Sequence, residues 1–216
     1  MGRSPVAVGK SSFDLIDQEA LFSELDLAAP ITVLDVGCRA GNYALALAGR
    51  IDAGGRVIGM GPSQRGVETL LHRASHRQLA QVEALVADVG HGIPLPAASV
   101  DLCLMATVYH ELVEENLGEA ALRAVSRVLR PEGRLAVLEF KRMDGPPGPP
   151  RRVRICPNEL RGRLAPFGFQ ELKTVSLGAF VYMSMFYKCR DNRGFSTVGF
   201  RHRGDETGNH SPPPSL

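Results

Sequence analysis

The chain has 216 residues, 44% hydrophobic and 22% charged, with a formal net charge of +2. That balance suits one globular domain with a sizeable core and excludes nucleic acid or an anionic membrane as the main partner. No apolar run reaches the roughly 18 residues needed to cross a bilayer.

Residues 1–10 read as a flexible leader without an apolar stretch of signal-peptide length. Val6 stands where the myristoylation pattern after Gly2 needs Ser or Thr. From Ser12, the spacing of Phe13, Ile16, Ala20, Leu21 and Leu25 predicts one amphipathic helix covering a sheet edge, broken by Pro30. The run Ile31-Thr32-Val33-Leu34-Asp35-Val36 predicts a strand, Gly37-Cys38-Arg39-Ala40-Gly41 a tight loop, and residues 42–50 a helix. A turn at Asp52-Ala53-Gly54-Gly55 leads to a short buried strand at 56–60, then Gly61-Pro62-Ser63 and a helix over 64–74. Residues 82–87 alternate into a third strand that ends at Asp88.

Residues 100–105 form a fourth predicted strand, followed by a helix over 114–129 with Leu117, Ala120, Ala121, Ala124, Val125 and Val128 on one face. Pro131-Glu132-Gly133 predicts a turn before a fifth strand at 135–140. The segment Gly145-Pro146-Pro147-Gly148-Pro149-Pro150 predicts a stiff, extended loop. Pro157 opens a short helix to 164, and residues 171–177 and 180–187 pair as a hairpin about Gly178-Ala179. From 191 to 216 the chain is polar and proline-bearing, which predicts a disordered tail. The four cysteines, Cys38, Cys103, Cys156 and Cys189, show no metal-ligand spacing, so no metal site is expected. They read as reduced thiols of a cytoplasmic protein, with Cys103 a small core residue.

Strands separated by helices up to residue 140 imply a parallel sheet with right-handed crossovers. The closing hairpin adds an antiparallel strand pair. Residues 11–190 are therefore expected to form one α/β domain. Ligands of such sheets sit at the carboxyl ends of the first strands. An acid beside a glycine turn there suits a cationic, amine-bearing ligand better than a pyrophosphate.

The stretch 31–43 resembles motif I of class I S-adenosylmethionine-dependent methyltransferases, with Arg39 in place of the middle glycine. Val57-Ile58-Gly59-Met60-Gly61-Pro62-Ser63 is similar to their motif II, with Gly61 where an acid usually binds the ribose hydroxyls. Ala87-Asp88-Val89 resembles the adenine-binding position, and the residues 92–102 the connection into the fourth strand. Val128-Leu129-Arg130-Pro131-Glu132-Gly133-Arg134-Leu135-Ala136-Val137-Leu138-Glu139 resembles the signature that follows the motifs. The likeness covers roughly residues 10–190 and is nearest to small-molecule enzymes of the ubiquinone/menaquinone-biosynthesis type.

The resemblance implies a Rossmann-like methyltransferase fold: a seven-stranded, mostly parallel sheet with a C-terminal antiparallel hairpin and helices on both faces. It also implies S-adenosyl-L-methionine as cofactor and a small-molecule acceptor methylated on oxygen or carbon. Asp35, Gly37, Cys38, Arg39 and Gly41 would bound the methionine half, Met60 and Gly61 the ribose, Asp88 and Val89 the adenine. Ala106, also expected to bind the cofactor, opens the segment Ala106-Thr107-Val108-Tyr109-His110-Glu111-Leu112, which resembles the family's catalytic-face segment. His110, which titrates near neutral pH, is the candidate base, with Tyr109 and Tyr43 on the substrate side. The alternative for His110 is a helix cap without chemistry. Lys141 and Arg142 follow the fifth strand at the same carboxyl edge, as does the proline-rich loop; they could contact an acidic substrate, but solvated loop charges are the favoured reading.

Arg39 and Gly61 also motivate a non-catalytic interaction module built on this fold. A nicotinamide-dependent reductase is disfavoured, because Gly37-x-x-x-Gly41 is not the Gly-x-Gly-x-x-Gly fingerprint. The sequence does not distinguish a thiol- or metalloid-methylating subtype, the acceptor or the oligomeric state.

Overall fold

A computed structural model of the protein describes residues 11–27, 31–52 and 54–189. The expected leader at 1–10 and tail at 191–216 lie outside the described residues. Strand side chains alternate between faces, and both faces of this sheet are apolar, so each face is covered by helices. The strands are β1 (Thr32–Val36), β2 (Arg56–Gly61), β3 (Val82–Val86), β4 (Val100–Ala106), β5 (Leu129–Phe140), β6 (Phe169–Ser176) and β7 (Val181–Lys188). Their order is β3-β2-β1-β4-β5-β7-β6, the first five parallel and β7 antiparallel to both neighbours. This is the sheet that the resemblance implies.

On one face, α1 (Gln18–Leu25), α2 (Asn42–Ala48) and α3 (Gln64–His76) pack on Val33, Val57, Leu102 and Leu104. On the other, α4 (Tyr109–Glu114), α5 (Gly118–Val128) and α6 (Pro157–Leu164) pack on Leu34, Ile58, Cys103 and Met105. Alternate residues of β1 and β4 thus serve the two cores in turn. Each fully buried aliphatic chain contributes about 1.5–3 kcal/mol. No helix among the described residues is long and apolar enough to cross a membrane.

Four expectations are corrected. The helix expected from Ser12 is a short 3-10 turn, Ser12–Leu15, followed by α1. Ile16 is extended, and Asp17 caps α1 by accepting from the Ala20 amide at 3.0 Å. The helix expected at 114–129 begins only at Gly118, as α5; Glu114 is the last residue of the separate α4, and Asn116, in a left-handed conformation, parts the two. The turn expected at Pro131-Glu132-Gly133 is a bulge within β5: Val100 faces Leu129, but Leu102 faces Arg134. The proline-rich segment is not extended. It folds back around the guanidinium of Arg154, whose Nη2 donates to the Gly145 and Pro147 carbonyls at 2.6 and 2.8 Å.

Candidate active site

Strand order reverses between β1 and β4, since β1 continues to β2 on one side while β4 joins on the other. Loops diverge at such a point and leave a crevice at the carboxyl ends. Here the crevice is a cavity of about 870 Å³.

Asp35, the penultimate residue of β1, is 1% exposed and lines this cavity. Its Oδ2 has no hydrogen-bond partner. Burial pushes its carboxyl up to about 7, against a backbone hydrogen bond from Ala44 that lowers it. A buried carboxylate oxygen without a donor is costly, so this atom is poised for a cation or donor from the cavity. Above it, the amides of Gly37 and Cys38 both donate to the Met60 carbonyl, at 2.8 and 3.0 Å, which ties the loop to β2. Arg39 holds a left-handed φ of 49°. Its side chain is 73% exposed and meets Glu111 of α4 at 2.7 Å, so it bridges the rim of the cavity instead of filling it.

Three hydroxyls meet on the floor. Ser12 Oγ lies 3.0 Å from the Tyr43 hydroxyl and 2.9 Å from Thr107 Oγ1, and all three residues line the cavity. Burial pushes the Tyr43 phenol upward. Thr107, just past β4, has φ of 54°. A left-handed, β-branched residue stores about 1–3 kcal/mol of strain, which is characteristic of functional sites.

His110 and Glu139 complete the opposite side. Glu139 is 0% exposed, and both of its oxygens serve His110: Oε1 accepts from the backbone amide at 3.0 Å, and Oε2 lies 2.7 Å from Nδ1. Burial pulls the imidazole down, but the hydrogen bond and charge of Glu139, with Glu111 and Glu114, outweigh it and raise the net value. With Nδ1 occupied, Nε2 is the ring nitrogen left for a ligand, and His110 lines the cavity.

Of the residues that the sequence nominated, Asp35, Gly37, Cys38, Arg39, Ala106, His110 and Tyr43 line this one space. Gly41 caps α2 between two lining residues, Ala40 and Asn42. Met60 and Gly61 stand beyond the loop at the end of β2; a Cβ on Gly61 would meet Cys38 Sγ at 3.8 Å. Asp88 Oδ1 accepts from the Gly90 amide at 2.9 Å, and Val89 is 5% exposed; neither lines the cavity. Tyr109 is not brought to this space. It lines a separate hollow against α5, because neighbouring helical positions are turned by about 100°. Lys141 and Arg142 do not line the cavity either: Lys141 Nζ donates to Ser176 Oγ at 2.7 Å, and Arg142 lies 3.7 Å from Glu159.

Sequence reasoning gave no role to Glu139, Ser12 or Phe140, whereas the proline-rich loop and Thr107 line the cavity at the edge where the sequence put them. Glu139 carried one usable signal, an acid inside the otherwise apolar run 135–140, which demands a buried partner.

A family described as methyltransferase domain matches residues 33–133. The 2-ketoarginine methyltransferase of Streptomyces arginensis is 31% identical over 155 residues, 69% of this chain and 43% of that protein. The ubiquinone/menaquinone biosynthesis C-methyltransferase of Syntrophotalea carbinolica is 30% identical over 130 residues, 59% of this chain and 51% of that protein. The chain thus spans about half the length of the curated relatives it matches, or less. Among solved structures, a SAM dependent methyltransferase from Aquifex aeolicus superposes with a TM-score of 0.75 at 28% identity. That match covers 83% of this chain and 93% of the other.

Proposed function

Because the chain belongs to the class I S-adenosylmethionine-dependent methyltransferases, we propose that its β1–β4 cavity binds this cofactor and that the protein methylates a small molecule on oxygen or carbon. The observation that carries the reading is Asp35 Oδ2, a buried, unpartnered acceptor at the cavity wall. It fits the ammonium end of an amino acid. S-adenosylmethionine, when bound, supplies a methyl carbon activated by the adjoining sulfonium.

The chain's own residues then divide the remaining work. Asp35 accepts from the ammonium, and the Gly37–Gly41 loop offers backbone to the methionine half. Met60 and Gly61 flank the ribose, and Asp88 and Val89 the adenine. Gly61 supplies no carboxylate, so the ribose end is held less tightly than the methionine end. His110 takes the acceptor's proton at Nε2, while Glu139 fixes Nδ1 and supports the positive ring that results. Alignment of the acceptor is the other requirement of an in-line displacement, and the cavity walls provide it. Four free cysteines support the cytoplasmic reading.

Thermal denaturation of the full chain with S-adenosylhomocysteine tests the reading. At about 100 times the dissociation constant, binding to the native state adds about 2.7 kcal/mol of stability. A raised midpoint with this ligand and none with NADPH is expected. The reverse pattern, or no response to either, contradicts it.

A further inference from the structure

Arg154 is 1% exposed, yet among the described residues it has no carboxylate partner. Its donors all go to backbone carbonyls: Nε to Pro149 at 2.8 Å, Nη1 to Lys141 at 3.0 Å, and Nη2 to Gly145 and Pro147. A buried guanidinium without hydrogen-bond acceptors is costly, and these four bonds persist only while residues 141–149 keep their curled path. It is therefore a clamp on the shape of that segment.

The clamped segment closes over Phe140. A Cβ on Gly148 would fall 2.6 Å from the ring, so glycine lets the backbone lie against the aromatic face. Phe140, Pro146, Pro147, Gly148 and Pro149 together line the cavity. Behind the ring, the Arg154 guanidinium stands 5.7 Å from its centroid; beside it, the His110 imidazole stands 6.3 Å away, nearly edge-on. The proline wall thus adjoins the candidate base.

The charges of the cavity narrow what this wall can hold. Its described lining carries two carboxylates, Asp35 and Glu111, and one guanidinium, Arg39, already paired with Glu111. The imidazole is matched by Glu139. An anionic acceptor would find no unpaired cation there, because Glu111 already holds Arg39 and Glu139 holds the imidazole.

We propose that Phe140 and residues 146–149, held in place by Arg154, form the acceptor-binding wall, and that it takes an uncharged acceptor with a flat apolar face whose reacting group is turned toward His110. The proposal rests on the methyltransferase reading and specifies its substrate side. Arg154 acts as a positioning residue, since it touches the wall and not the acceptor.

Phenol, benzoate and benzylammonium share one ring and differ in charge, so they probe the wall without presuming the natural acceptor. Each is titrated to about 10 mM into full-length protein saturated with S-adenosylhomocysteine, a range that detects fragments this small. The imidazole signals of His110 and the ring signals of Phe140 report the contact. Phenol is expected to shift both and to bind at least about tenfold more tightly than benzoate. Arg154→Lys is expected to weaken phenol about tenfold while S-adenosylhomocysteine affinity stays within about twofold. Gly148→Ala, which keeps Arg154 but forces the left-handed backbone at 148 away from the Phe140 ring, gives the same pattern and decides the matter if the arginine variant does not fold. Equal or tighter benzoate binding, no phenol contact, or phenol binding unchanged in the folded variants overturns the proposal. Failure of S-adenosylhomocysteine to bind the unaltered protein refutes the underlying reading instead.

Discussion

His110 and Glu139 are joined twice, through the backbone amide at 3.0 Å and the ring Nδ1 at 2.7 Å, with the glutamate wholly buried. The first bond fixes where α4 starts relative to β5, and the second fixes which ring nitrogen faces the ligand. A glutamate so placed decides both the orientation and the basicity of the histidine.

A base works only when deprotonated, and the net upward shift of His110 keeps it protonated beyond its ordinary 6.5. Methyl transfer is therefore expected to rise with pH through a midpoint above 6.5. Glu139→Gln leaves burial as the dominant influence, so the midpoint moves to lower pH while the plateau falls about 100-fold. The pair also contributes stability below 6.5 that is lost as pH rises through the raised value. A pH–rate profile from each protein checks this, and superimposable profiles contradict it.

Asp35 gives a second pH dependence. Its carboxyl is raised from 3.8 to about 7, so the ligand-free protein is most stable below 3.8 on this group's account and loses that contribution as pH climbs toward 7. Asp35→Asn removes the ionisation, and its urea-denaturation free energy is expected to change less over this interval. Parallel curves for the two proteins would show that Asp35 is not the group responsible.

Gly61→Asp restores a carboxylate at the end of β2. The position has room, since its nearest contacts would be Cys38 Sγ at 3.8 Å and the Cys38 amide at 3.9 Å. A hydrogen bond to a charged group contributes about 1.5–3 kcal/mol, so affinity for S-adenosylhomocysteine should rise about 10- to 100-fold. Equilibrium dialysis measures it. No gain would mean that the ribose does not pass beside this strand.

Ser12→Ala strips the shared partner from the Tyr43 and Thr107 hydroxyls. Two part-buried groups left unmatched should lower stability by about 1–3 kcal/mol. Urea titration at fixed pH gives the value, and a loss below about 0.3 kcal/mol would show that these hydroxyls turn to other partners.

The parallel strands, the loop at 37–41 and the closing hairpin were legible because each is local. Alternation, glycine spacing and proline announce themselves within a few residues. The hairpin about Gly178 and the helix at Pro157–Leu164 appear where the pattern put them. What was not legible depends on distant partners. Nothing near Ser12 shows that it will meet Thr107, 95 positions away. Nothing in the proline run shows that Arg154 will gather its carbonyls. Tyr109 and His110 are neighbours in sequence, and only the direction of α4 sends one into the cavity and the other behind it.

Asp35 is expected to receive the ammonium of S-adenosylmethionine, and every other assignment in the cavity follows from that contact. Calorimetric titration with S-adenosylhomocysteine at pH 6.5, in buffers of differing ionisation enthalpy, tests this directly. A carboxyl with a value of about 7 that is forced to ionise by the ligand should release about 0.8 proton per molecule bound, and Asp35→Asn should release none. No heat at millimolar ligand, or binding that releases no proton from the unaltered protein, contradicts the account.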